Sequence, residues 1–531
     1  MGARQTNAFQ FFKQQTALLV TIAIGVCFAF LKLKGLDVNQ TLWAEDGTVF
    51  INQARELGFS SLFISYAGYF HAYPRLIAWI SSFFGLEQTP LIFLSAWFLA
   101  YISLIYVATN RLLKCELVPL SACIIVVLML AQPHSGEVFF TLTNAQWFTG
   151  AALAIYVLIP VIDISSKYEK TILLLASLTG PFSLVLTPVL MLQLAIYKDW
   201  ESRKYIYIIL GLGALVQFSA ILLFNRFGNG GFDHDIHHWM TAFYNFMSFG
   251  FKPAIPKIAA ILFWITFVCA LVLTLGKKWD RSYSSIKFIV LFLLVGSALF
   301  WCAALLAEKG APQFLNPKGH GARYFFIPYI LILFAAGLLV SQHTKLRYVN
   351  FFVLIILTVS AFRVHHRDDL QFNSFVNFAK YNSSVLIPIN PQQANFPGWH
   401  VRLLAHSKST DSYLTPFSDL HTQKNIKIND FVSELNHDSN MVINIQDQCL
   451  KSSYIGIELE VNRSEDGATQ IYWSSNTQFV DSQSLHRYYP KGNATMQFAF
   501  PRKNVKYIRF NLAERAVKFS VSSAKMYCLA D

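Results

Sequence analysis

The sequence predicts an α-helical polytopic membrane protein of about eleven transmembrane helices, followed by a C-terminal β-sandwich outside the membrane. Three observations predict it: the composition, a series of apolar runs of membrane length, and a change of pattern near residue 380. Of 531 residues, 54% are hydrophobic and 14% are charged, against about 25% charged in soluble domains. The 48 Phe and 23 Tyr suit lipid-facing surfaces and interfacial belts. The net charge of +13 sits mostly in short loops between apolar runs. There it serves topology and anionic headgroups, so no nucleic-acid partner is expected.

Apolar runs lie at 16–33, 88–109, 117–132, 147–163, 205–224, 257–276, 286–307, 323–340 and 349–363. The stretch 171–197 is apolar but broken by Gly180-Pro181, which makes either one kinked helix or two short ones. Loop charge decides. Lys167 and Lys170 precede the stretch, and Lys198, Arg203 and Lys204 follow it. Both ends are therefore expected in the cytoplasm, which requires two short helices. The same rule puts the N-terminus, Arg111/Lys114, Lys277/Lys278/Arg281 and Lys345/Arg347 inside. Lys32 and Lys34, at the outer end of the first run, go against it.

Arg4 and Lys13 precede the first run with no small-residue cleavage site after it, which reads as a retained signal anchor. The outer loops are then 34–87, 133–146, 225–256, 308–322 and everything after about 364. The first is long, and its amphipathic pieces Val49–Leu57 and Phe70–Phe84 suit interfacial helices.

The expected domains are 1–365 in the membrane and 366–531 outside it. In the second, Ile455–Val461, Thr469–Trp473, Ala494–Phe500, Lys506–Leu512 and Val517–Met526 are short β-branched or aromatic runs between turn residues. That is the pattern of an antiparallel β-sandwich. Its Trp473, Tyr488 and Tyr489 suit either contact with a glycan or the core. Cys27, Cys123, Cys269 and Cys302 fall in apolar runs as packing residues, and Cys115 in a short inner loop. Cys449 and Cys528 stand in the polar region. A disulfide between them, closing about 80 residues, would contribute about 4–5 kcal/mol in an oxidising compartment.

Polar groups concentrate in the outer loops. Trp43-Ala44-Glu45-Asp46-Gly47 carries two adjacent acids just past the first apolar run. The same loop continues into Tyr66–Arg75, with Tyr69 and His71. The second loop holds Glu137, Asn144, Gln146 and Trp147; the fourth ends in His320, Arg323 and Tyr324. Carboxylates beside a membrane must stay wet or find partners, since one at its centre costs at least about 2.5–3.5 kcal/mol. An acid can take a proton from a sugar hydroxyl, arginine binds phosphate bidentately, and Trp and Tyr stack on sugars.

Each feature has a structural alternative. Glu45 and Asp46 suit the start of the helix near Gly47. Arg75 and Arg323 suit interfacial anchors, Glu137 a structural ion pair, and Trp147 an aromatic belt. Asp233-His234-Asp235 with His237 and His238 lacks zinc-type spacing and reads as a solvated loop. The absence of P-loop, GxSxG, HExxH and CxxC patterns argues against ATPase, serine hydrolase and zinc protease chemistry.

The acidic pair after the first run, the many further runs and the outer C-terminal domain resemble the GT-C glycosyltransferases. WAEDG (43–47), AGYFHAYPR (67–75), SGEVFFTLTNAQW (135–147), LTGPFSLVLTP (178–188) and GARYF (321–325) resemble the serotype-converting O-antigen glucosyltransferases. The resemblance covers 1–365. It implies a multi-pass protein of the bacterial inner membrane, with its N-terminus cytoplasmic and its C-terminal domain periplasmic.

The implied donor is a polyprenyl-phosphate sugar, with glucose the implied sugar. It is transferred with inversion to lipid-linked O-antigen, a lipopolysaccharide glycan. By position, the catalytic carboxylate maps to Asp46 or Glu45, with Asp46 preferred. Arg75 and Arg323 would hold phosphate, and Glu137, Asn144 and Gln146 would contact sugar or acceptor, with Tyr69, His71, Trp147, His320 and Tyr324 beside them. No obligatory metal or cofactor is expected, because the adjacent acids are not a DxD pattern. The C-terminal segment resembles carbohydrate-binding β-sandwiches of surface-polysaccharide enzymes. Two other functions compete: a transporter or flippase of lipid-linked sugars, and an O-antigen polymerase.

Overall fold

The computed structural model describes residues 2–115, 117–133, 137–160, 167–224, 231–276, 285–319, 321–342, 352–353, 355–357, 359–360, 362, 366–381, 384–392, 398–404, 424–425, 432–435, 440–445, 452–511 and 517–529. The chain forms two compact units. The first comprises Met1–Gly35, Ser60–Ile77 and Leu94–His365; the second comprises Leu36–Phe59, Ala78–Phe93 and His366–Asp531.

The first unit is helical. Its helices are α1 (Gly2–Leu33), α3 (Ala72–Ser81) and α4 (Thr89–Lys114), the last two beginning or ending in the second unit. Then follow α5 (Pro119–Leu130), α6 (Ala145–Leu158), α7 (Lys167–Ser177), α8 (Phe182–Tyr197), α9 (Trp200–Leu223), α10 (Ile236–Met247), α11 (Ala254–Leu275), α12 (Ile286–Ala307) and α13 (Arg323–Gln342). Among the described residues, six helical segments are long and apolar enough to cross a membrane: Lys13–Leu33, Leu86–Lys114, Trp200–Leu223, Ala254–Leu275, Ile286–Ala307 and Arg323–Ser341. The apolar runs expected at 117–132 and 147–163 form the shorter α5 and α6, and part of 349–363 lies outside the described residues.

Every residue of α6 is buried, as suits a helix apolar on all sides and enclosed by others. Beside it, Trp97, Tyr101, Phe139, Phe140, Phe148 and Phe326 form one aromatic cluster. Its polar tips are satisfied: Trp97 Nε1 donates to Val138 O at 3.0 Å and Tyr101 OH to Gly25 O at 2.8 Å. Gly25 also lets α1 approach α4, since a Cβ there would collide with Ile105.

The stretch around Gly180-Pro181 is two helices, α7 and α8, and not one kinked helix. Gly180 has φ +79, and its N–H donates to Phe70 O at 2.8 Å. A side chain there would strike the Phe182 ring. Glycine supplies the left-handed turn and proline removes the donor that would continue α7.

The second unit holds α2 (Asn52–Leu57), α14 (Phe372–Tyr381) and all the strands. Strands β1 (Ser384–Pro388) and β2 (His400–Leu404) pair antiparallel. A four-stranded antiparallel sheet runs in the order β5 (Asn440–Asn444), β10 (Tyr507–Asn511), β7 (Gly467–Ser474), β8 (Ser484–Tyr489). A five-stranded sheet runs in the order β3 (Lys424–Asn425), β11 (Val517–Leu529), β6 (Tyr454–Arg463), β9 (Gly492–Pro501), with β4 (Val432–Leu435) also on β11. Trp473 stacks on Phe500 with centroids 5.0 Å apart, and Phe498 contacts Tyr489 and Phe510. Trp473 and Tyr489 are therefore core residues, 5% and 1% exposed. Tyr488 is half-buried and donates to Asp466 Oδ2 at 2.6 Å. Cys528 is disulfide-bonded; Cys27, Cys115, Cys123, Cys269 and Cys302 are free, and Cys449 lies outside the described residues.

Candidate functional site

Residues singled out in the sequence fall into two groups, one in each unit. In the second unit, Asp46 opens a turn of π-helix, Asp46–Ile51, that leads into α2. The Asp46 side chain is fully buried, and its Oδ2 accepts from Trp43 N–H at 3.1 Å. Glu45 is half-buried and precedes the turn without a side-chain capping bond. The bond from Asp46 runs back to Trp43.

The acidic segment is pinned by distant residues of its own unit. Ala44, at φ 42, donates its N–H to Asn390 O at 2.6 Å. Thr48 Oγ1 donates to His400 O and accepts from His400 N–H, both at 3.1 Å. Asn52 Oδ1 accepts from Arg402 N–H at 2.9 Å. Arg367 donates to Thr41 O at 2.7 Å and to Gln40 O at 3.3 Å, and its guanidinium lies 4.8 Å from the Trp43 ring centre. Burial pushes Arg367 down to about 10, while the negative charge of Asp46 acts in the opposite direction. Burial likewise lowers the His400 imidazole below its usual value, against the bond between His400 Nδ1 and Gly398 O. Nothing near the WAEDG motif in the sequence points to Arg367, which follows it by more than three hundred residues.

In the first unit, the Tyr66–Arg75 segment is held by helices far along the chain. Gln217 of α9 accepts from Phe70 N–H at 2.9 Å and donates to Phe70 O at 3.2 Å. Thr179 Oγ1 accepts from Tyr73 N–H at 3.0 Å, and Tyr73 OH donates to Ala96 O. These bonds place Tyr69, whose ring stacks on His71 at 4.5 Å. Arg75 is 1% exposed, and burial pushes it down to about 10.

Tyr69, Trp147 and Tyr324, from three separate stretches of sequence, meet around one cleft. Its other walls are Pro181, Phe182 and Val185 at the start of α8, Phe300, Ala303, Ala304 and Ala307 on α12, and Pro328 on α13. Trp147 meets Tyr324 and Phe182 edge to face at 5.7 and 5.4 Å. Among the described residues, Trp147 Nε1 and Gln146 Oε1 are buried without a hydrogen-bond partner. Buried polar atoms are normally paired, so the Trp147 N–H is a donor in the cleft wall left open.

Beside Tyr324, Arg323 engages Glu137: its backbone N–H donates to Oε2 at 3.1 Å and its Nη1 to Oε1 at 2.5 Å. Asn144 Nδ2 donates to Glu137 O at 3.0 Å. Glu137, Asn144, Arg323 and Tyr324 are thus brought together, and His320 lies outside the described residues. In the third loop, Asp235 caps α10 by accepting from His237 N–H at 2.9 Å, and Asp233 Oδ2 bonds His238 Nδ1 at 2.7 Å.

Compared with protein families, curated proteins and solved structures, this chain matches none. The small residues of α12 that shape the cleft were not legible in the sequence, since Ala303, Ala304 and Ala307 read there as ordinary residues of an apolar helix.

Proposed function

We propose that the protein is a membrane glycosyltransferase that moves a sugar from polyprenyl phosphate to a hydroxyl of a lipid-linked glycan outside the cytoplasm. The observation that carries this reading is the aromatic cleft, bounded by the membrane-length helices α12 and α13 and by Tyr69, Trp147 and Tyr324. Apolar walls with a few polar groups suit an amphiphilic substrate, and aromatic faces suit a sugar ring.

Asp46 is the proposed base. Its carboxylate takes the proton of the acceptor hydroxyl as that oxygen attacks the anomeric carbon. The bond to phosphate breaks with its electrons on the phosphate oxygen, and configuration at carbon inverts. General-base help of this kind contributes about 10²–10⁴-fold. The carboxylate accepts from the Trp43 N–H, and its charge acts on Arg367. Cationic groups stabilise the phosphate as it leaves. The strand-rich part of the second unit is read as a two-layered β-sandwich.

Membranes bearing the protein, given labelled polyprenyl-phosphate glucose, are expected to move one labelled hexose onto the glycan. Asp46→Asn keeps an oxygen for Trp43 N–H, so it should leave folding intact and reduce transfer by more than about 10²-fold. Movement of intact labelled lipid across the membrane without a new glycosidic bond would instead identify a transporter. Transfer of a whole oligosaccharide would identify a polymerase.

A further inference from the structure

Lys32 is the last residue but one of α1, at the end of the first membrane-length helix. It is only 5% exposed. Its Nζ lies 5.3 Å from the ring centre of Phe28, 4.8 Å from that of Phe139 and 5.1 Å from that of Phe362. Among the described residues it has neither an ion pair nor a hydrogen bond. A snorkelling lysine would extend its ammonium into water; this one is enclosed by three rings.

Aromatic faces attract a cation but accept none of its three N–H bonds well. A buried ammonium normally has a carboxylate or other acceptor beside it. Here the three rings stand where that acceptor would be. Lys32 differs from Arg111, whose guanidinium nitrogens are buried in the interior against Tyr156. The level at which a membrane-length helix ends is also the level of lipid phosphates. Lysine meets phosphate as a point charge, without the planar fork of arginine. Arg323 is already engaged by Glu137.

We propose that Lys32 and the cage of Phe28, Phe139 and Phe362 form a binding site for the phosphate group of a membrane lipid. That this lipid is the polyprenyl carrier rests on the function proposed above.

The test uses the purified full chain in neutral detergent, with binding read by native mass spectrometry and thermal shift. The probes are polyprenyl phosphate, the uncharged polyprenol, phosphatidylglycerol and inorganic phosphate. The wild-type protein should bind polyprenyl phosphate at least about tenfold more tightly than polyprenol. Lys32→Met should remove most of that difference, Lys32→Arg should retain part of it, and Phe139→Leu should weaken it.

Unchanged discrimination in Lys32→Met overturns the site. So does displacement of the lipid by inorganic phosphate at equal concentration, which would mean a pocket for a free anion. If phosphatidylglycerol competes as well as polyprenyl phosphate, in a manner dependent on Lys32, the lipid-phosphate site stands and its link to a glycosyl donor falls. Because binding is read without turnover, loss of the site and loss of the proposed activity remain separate results.

Discussion

Arg323 gives one hydrogen bond to each oxygen of the Glu137 carboxylate, from its own backbone N–H and from Nη1, across 186 positions of sequence. Arg323 is the first residue of α13, where backbone N–H groups lack partners within the helix. Glu137 therefore acts as an N-terminal cap supplied from another loop, and its charge lies at the positive end of the helix dipole. Glu137→Ala should lower stability by about 1–3 kcal/mol, and Glu137→Gln by less, because one acceptor oxygen remains. Thermal unfolding in detergent measures both. Equal melting temperatures for the wild type and Glu137→Ala would refute the capping role.

Cleft size offers a second expectation. Ala303 is half-buried on the α12 wall. Ala303→Phe should fill part of the cleft, reducing kcat/KM for a lipid-linked donor by about tenfold or more while overpacking costs about 1–3 kcal/mol at most. A donor titration on purified variants separates these effects. Unchanged kinetics in a folded Ala303→Phe protein would place the donor elsewhere.

Gln217 makes two bonds to the backbone of Phe70 from within α9. Gln217→Leu keeps the side-chain bulk but strands the Phe70 N–H, at about 1–3 kcal/mol, while the Phe70 C=O still accepts from Gly180 N–H. Amide exchange over residues 66–75 should accelerate in that variant more than exchange in α6. Uniform protection in both regions would argue that Gln217 holds nothing in place.

Acidification should loosen the segment after Asp46. Burial holds His400 below its usual pKa of 6.5, so the folded state favours the neutral ring. Its contribution is fully present above pH 6.5 and is lost as pH falls through the lowered folded value. Since His400 and Thr48 exchange two hydrogen bonds, amides 46–52 should exchange faster at about pH 5.5 than at pH 7.5, after correction for intrinsic rates. His400→Gln should remove that dependence. If it persists in the variant, another group controls it.

Much of the architecture is written locally. Gly180-Pro181 ends one helix and starts another because glycine allows the turn and proline lacks a donor. The β-branched and aromatic runs after residue 450 become strands for equally local reasons. Other readings could not be settled that way. The sequence left Glu137 open between a ligand and a structural partner, and packing pairs it with Arg323. It left Trp473 open between glycan contact and core, and the ring on Phe500 decides for core.

By itself, then, the sequence determined that this is a membrane protein, where its helices break and where its strands begin. Hydropathy and turn chemistry act over a few residues and need no partner. Only the tertiary structure decided that Asp46 shares its surroundings with Arg367, that Tyr69, Trp147 and Tyr324 enclose one cleft, and that Lys32 is caged by three phenylalanines. Those relationships join residues from distant stretches of chain. They exist because packing apolar helices and pinning loops by hydrogen bonds brings specific side chains to one place, and no short pattern encodes that.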